Sequence, residues 1–115
     1  MIVTLPWPPA TLSGHAKGNW RGKSAPTKKA RADAAAATLA LRPQPMAADG
    51  DIRVTVIFYP PDRRGDRTNY PNRIKPYWDG IADALDVNDR RFLPAFLYAK
   101  PTADARVEFL IGGGA

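Results

Sequence analysis

The sequence predicts an α+β fold, a small mixed β-sheet with two main helices packed on it. Three observations carry that prediction. Ile52, Val54, Val56 and Phe58 alternate with Arg53 and Thr55, the period-two pattern of a half-buried strand. Ile74, Trp78, Ile81 and Leu85 recur at helical spacing and form one apolar stripe. The run "TKKARADAAAATLAL" consists mostly of strong helix formers.

In chain order, Ile2 to Leu5 is a short β-prone run stopped by Pro6, Pro8 and Pro9. Residues 10–25 are glycine-rich, basic and without period, and read as a loop. Ser24 is placed to cap the first helix and Pro26 to open it, because proline suits a first turn; Arg42-Pro43 closes it. "PQPMAADGD" is a loop before the strand at 52–58, and Pro60-Pro61 ends that strand. "DRRGDRTNYP" is a loop, and the second helix then carries Pro76 in its first turn or at a kink, stopping near Val87-Asn88. Phe96–Lys100 and Arg106–Ile111 read as the last two strands, with Val107, Phe109 and Ile111 on one face. There is no internal repeat. The chain reads as one domain, residues 1–115, with 110–115 as a flexible tail.

With 115 residues the chain supports a modest core, and one this small often gains stability or a composite surface by dimerising. Twelve prolines and nine glycines predict long, defined loops. A net charge of +6 and a pI near 10.0 favour a polyanionic partner, nucleic acid before an anionic membrane surface. Between Gly14 and Ala32 the cations Lys17, Arg21, Lys23, Lys28, Lys29 and Arg31 occur without an acid and alongside Trp20. Lys28, Lys29 and Arg31 would crowd the first turns of a helix opened at Pro26, where the macrodipole disfavours cations. Either a phosphate sits there, or exposed lysines tolerate the small cost.

The absence of cysteine excludes a disulfide framework, a thiolate nucleophile and a zinc-finger ligand set. His15 is the sole histidine, so a Ser-His-Asp triad would depend on it; it fits a phosphate contact in a basic loop or a general base. No phosphate-binding loop or dinucleotide fingerprint occurs. The first residues do not resemble a secretory signal, and no stretch reaches the roughly 18 apolar residues of a membrane span, so a cytoplasmic protein is expected.

Oxygen-ligand metal chemistry remains. Mg²⁺ takes carboxylates, waters and phosphate oxygens, and in phosphodiester hydrolysis it activates water and neutralises leaving-group charge. Asp66 in a loop, Asp89 after the second helix and Lys75 between them could supply such a site if the chain folds back. Each acid also has a plainer reading, Asp66 as a turn residue beside Gly65 and Asp89 as a loop acid paired with Arg90 or Arg91.

"LPWPPATLSGHAKGNWRGK" and "PPDRRGDRTN…K…DGIADALDVNDRRF" together resemble RusA-type Holliday-junction resolvases. That family shows a Pro-Trp-Pro-Pro turn and a basic loop, then an Asp-x-Asp-Asn loop, a lysine, a helix with Asp-Ala-Leu and an Asp-Asp pair. The likeness runs from residue 2 to about 92. It implies a RusA-like fold, a homodimer, and Mg²⁺- or Mn²⁺-dependent cleavage of four-way DNA junctions, often by a phage- or prophage-encoded protein. By position it implies Asp66, Lys75 and Asp89 as catalytic residues. Asp66 and Asp89 would be metal ligands, with Thr68, Asn88 and Asp83 as further candidates and Asp79 as an alternative to Asp83. DNA contacts are expected from His15, Lys17, Asn19, Trp20, Arg21, Lys23, Lys28, Lys29, Arg31, Arg63, Arg64, Arg67 and Asn69.

Thr68 stands where the family has its second loop aspartate, and Asn88 where the pair has its first. His15 and Asn19 occur in reversed order, and Lys75 lies further from Asn69 than in the family's shorter version. A second register aligns Asn72 and Lys75 with the asparagine and lysine, but puts Asn69 and Pro71 at the loop aspartates. The alternative expectation is therefore a weakened or inactive protein that binds branched DNA; an RNA-binding protein of unrelated function is a third.

Overall fold

A computed structural model describes residues 1–9, 12 and 20–112, without the side chains of 20–24. Among them lie four strands and three α-helices in the order β1 (Ile2–Pro6), α1 (Trp20–Ala40), β2 (Ile52–Tyr59), α2 (Tyr70–Arg73), α3 (Lys75–Leu85), β3 (Phe92–Tyr98) and β4 (Arg106–Ile111). The strands form one mixed sheet, ordered β1-β4-β2-β3. β4 runs antiparallel to both β1 and β2, while β3 runs parallel to β2. A parallel neighbour needs a crossover, and α2 with α3 supplies it.

Strand alternation decides which face is the core. Val54, Val56 and Phe58 of β2 align with Ile111, Phe109 and Val107 of β4, and Val3 and Leu5 of β1 continue the same rows. All of these side chains are buried, and Ile74, Tyr77, Ile81 and Leu85 join them from the helical layer. Each fully buried side chain of this size contributes roughly 1.5–3 kcal/mol relative to exposure. α1 and α3 lie so close that a Cβ added to Gly80 would run into the Arg31 carbonyl and come within 2.8 Å of the Ala34 Cβ. Small residues at the crossing permit that approach.

Four boundaries differ from the sequence reading. α1 begins at Trp20, inside the expected loop, and Pro26 lies within the helix. A proline removes one backbone bond and crowds the preceding turn, which a long helix packed on a neighbour can absorb. Consequently Lys28, Lys29 and Arg31 lie in the helix interior, and the expected conflict with the macrodipole does not arise there. The second helix is two pieces joined at Ile74, with Pro76 in the first turn of α3. β3 starts at Phe92 rather than Phe96, because pairing with β2 begins at Ile52↔Phe92. Leu110 and Ile111, expected in the tail, belong to β4, and Ile111 is buried.

Candidate functional site

Asp66 builds a turn. It caps the 3-10 turn Arg67–Asn69 by accepting from the Thr68 N–H at 3.0 Å and the Thr68 hydroxyl at 2.7 Å. The Asn69 amide also donates to it at 3.2 Å. Thr68 therefore turns its hydroxyl proton toward the acid. The turn rests on an aromatic cluster: buried Tyr70 meets Trp7 edge-on at 4.8 Å between ring centroids and packs near Phe58 and Tyr98. Gly65 is pressed against this cluster, since a Cβ there would lie 2.5 Å from the Tyr70 hydroxyl. Burial holds the Tyr70 pKa above its ordinary value.

Lys75 gathers the second group. Its ammonium donates to Asp79 Oδ1 at 3.0 Å and to Asp89 Oδ2 at 2.5 Å. Asp79 lies one turn along α3, whereas Asp89 comes from the 3-10 turn Asp89–Arg91 that leads into β3. Asn88 caps that turn by accepting from the Arg90 N–H at 2.9 Å, so its side chain serves the backbone. Arg91 pins the other side through Gly50 and Ala47 carbonyls. The bond to Lys75 holds the Asp89 pKa below the usual carboxylate value, and the Asp89 and Asp79 bonds raise that of Lys75. Lys75 and Asp89 open onto a hollow floored by Trp78, Phe92 and Pro94.

The two acids that the sequence offered as alternatives separate here. Asp79 is on Lys75, while Asp83 makes a fork with Arg31 across α1 and α3, at 2.7 and 2.9 Å. Arg31 holds the Asp83 pKa down and is itself raised by Asp83. Asp83 thus ties two helices together, away from the Lys75 group. Lys29 pairs with Asp33 on α1 at 2.6 Å, and Lys28 is exposed.

Asp66 and Asp89 line different hollows. Asp66 shares one of about 360 Å³ with Asp62, Arg63, Arg67, Tyr70 and Pro101. Arg64, very exposed, lines the adjoining hollow with Arg73 and Trp7. Among the described residues, no group of three or more acid or imidazole side chains is placed to hold a metal. His15, Lys17 and Asn19 lie outside the described residues; Trp20, Arg21 and Lys23 belong to α1 by their backbone, and their side chains are outside the description.

The sequence reading missed Arg73. Its guanidinium lies 5.9 Å from the Tyr70 ring centroid, and its buried Nε has no hydrogen-bond partner among the described residues. The signal available in sequence was only its place between the loop arginines and Lys75.

No family model matches the chain. A protein of Xylella fastidiosa (strain Temecula1 / ATCC 700964), described as an uncharacterized protein, is 40% identical over 94 residues, which is 79% of this chain. The match spans 61% of that protein's length. No helix among the described residues is long and apolar enough to cross a membrane.

Proposed function

We propose that this chain is a RusA-type, structure-selective endodeoxyribonuclease that acts as a homodimer on four-way DNA junctions. The observation that carries the reading is the Lys75 group, where one ammonium holds carboxylates from two separate elements at the mouth of a hollow. Two carboxylates against one ammonium leave that group able to take a further cation. Asp79 and Asp89 are both partly accessible, at 28% and 36% side-chain exposure, and match the one or two protein carboxylates that Mg²⁺ takes alongside waters and substrate phosphate.

In this reading Asp89 and Asp79 would hold Mg²⁺ or Mn²⁺, while Asp66 lines the separate hollow beside the loop arginines. The metal supplies Lewis acidity at the scissile phosphate and a more acidic water. Lys75 exchanges a carboxylate for a phosphate oxygen and stabilises the charge that grows on it. Arg63, Arg64, Arg67 and Arg73 hold the flanking phosphates, a sequence-independent grip that weakens with salt. Incubation with a synthetic four-way junction and Mg²⁺ or Mn²⁺ is expected to give paired symmetric nicks, abolished by EDTA. Intact junction at every metal concentration, with binding retained, would refute the nuclease.

A second reading, a branched-DNA-binding protein with a weakened or inactive site, is favoured by Thr68. Its hydroxyl is committed to Asp66, and a neutral oxygen adds no charge for a metal. Thr68→Asp distinguishes the two. A large gain in cleavage indicates a decayed site, and binding that persists in EDTA without cleavage indicates a binding protein.

A further inference from the structure

The hollows around Asp66 and around Lys75 with Asp89 leave a larger one unused. It measures about 620 Å³, shares no residue with either, and lies where the end of α1 meets the starts of β1 and β2 and the end of β4. Apolar side chains make most of its wall: Ile2, Leu41, Pro43, Met46, Ile52 and Ile111. Ile2 is 53% exposed and Leu41 46%, so this wall faces solvent. Volume and apolar lining match those of small-molecule sites, roughly 300–1,000 Å³ with a few charged or polar groups. Met46 suits such a wall, since its unbranched thioether adapts to what it meets.

We propose that this hollow binds a small amphipathic anion, an apolar body that ends in one acidic group. Charge selects that ligand. Arg42 and Arg91 line the hollow with a single acid, Asp51, and none of the three makes an ion pair among the described residues. Arg91 is half-buried, and its Nε and Nη2 donate to the Gly50 and Ala47 carbonyls at 2.9 and 2.7 Å. Neutral carbonyls leave its positive charge uncompensated, which favours an anion beside it. Arg42 adds a second observation. Its φ is 51°, left-handed backbone just past the end of α1, where glycine is the ordinary residue. A side chain there costs free energy that glycine would not, and such outliers gather at ligand clamps. Inorganic phosphate or a nucleic-acid backbone would use the arginines and leave the apolar wall idle; a neutral hydrocarbon would do the reverse. Nothing in this site depends on the Lys75 group or on what the chain cleaves.

Amide-resolved NMR titration of the full chain tests it, with anilinonaphthalene sulfonate as the amphipathic anion. Phenylnaphthylamine, the same rings without the sulfonate, and inorganic phosphate are the controls. The sulfonate is expected to saturate at one per chain and to shift the amides of Ile2, Leu41, Arg42, Met46 and Ile111. The neutral amine is expected to bind about tenfold more weakly, for want of hydrogen bonds to charged groups, and phosphate to leave those amides in place. Arg42→Gly is expected to weaken the sulfonate about threefold while the thermal midpoint holds or rises, and Asp51→Asn to tighten it by about as much. An arginine that merely serves the helix end would behave in the opposite way, with stability lost and affinity kept. Asp51→Asn remains readable if Arg42→Gly fails to fold. Absence of binding overturns the proposal, as do equal affinities for sulfonate and amine. Shifts centred on Leu93 and Leu97 instead, or an affinity that neither variant moves, also overturn it.

Discussion

Asp66 and Asp89 are both aspartates among arginines at the start of a 3-10 turn, yet they are used differently. Asp66 accepts from its own turn, from the Thr68 backbone and hydroxyl and the Asn69 amide. Asp89 leaves capping to Asn88 and reaches across fourteen residues to Lys75. One carboxylate shapes local backbone; the other joins a helix to the entrance of a strand. Asn88 caps the turn that Asp89 begins, so Asp89 is available to Lys75, whereas Asp66 is itself the cap of its turn.

The largest test of that contrast removes the ammonium. Lys75→Met is expected to lower junction cleavage about 10²–10³-fold, the scale of losing one preorganised charge-stabilising donor. Single-turnover assays beside binding measurements check it, and cleavage at the wild-type rate would detach the Lys75 group from the chemistry.

A second test divides capping from charge at Asp66. Asp66→Ala is expected to cost about 0.5–2 kcal/mol in denaturant unfolding, whereas Asp66→Asn keeps a good cap and most of the stability. Asp66→Asn is expected to cut cleavage, as Asp89→Asn does. If Asp89→Asn alone does so, the working acids narrow to Asp79 and Asp89 and the contrast becomes complete.

The smallest effect is on pH. Lys75 depresses the Asp89 pKa, so the pair's contribution is present above the ordinary carboxylate value of 3.8 and is lost as pH falls through the lowered one. The raised Lys75 pKa gives a contribution present below 10.5 and lost as pH rises through the raised value. The stability difference between wild type and Lys75→Met should therefore be flat between those limits and shrink beyond both. Partial exposure and salt keep it small. A difference that grows below pH 3.8 would mean the pair does not form in solution.

Much of the fold was legible because short-range periodicity reports which side of an element is buried. The β2 alternation and the α3 stripe needed no tertiary knowledge, and Val107, Phe109 and Ile111 appeared in sequence on the face they occupy. Boundaries were less legible where pairing overrides local signals. Pro26 looked like a helix start but lies inside α1, and Pro94 obscured a strand whose length is set by its parallel partner.

The sequence by itself determined the α+β class, the core faces and the basic character, and offered Asp66, Lys75 and Asp89 as candidates for one site, of which the structure sets Asp66 in a hollow of its own. Only the tertiary structure set Asp79 on Lys75 beside Asp89 and Asp83 on Arg31. Both lie on α3, one turn apart, and their partners come from elsewhere: Arg31 from α1 reaches Asp83, while the turn before β3 brings Asp89 to the lysine beside Asp79. Spacing along a helix fixes which residues share a face. What faces them is fixed by how the layers pack.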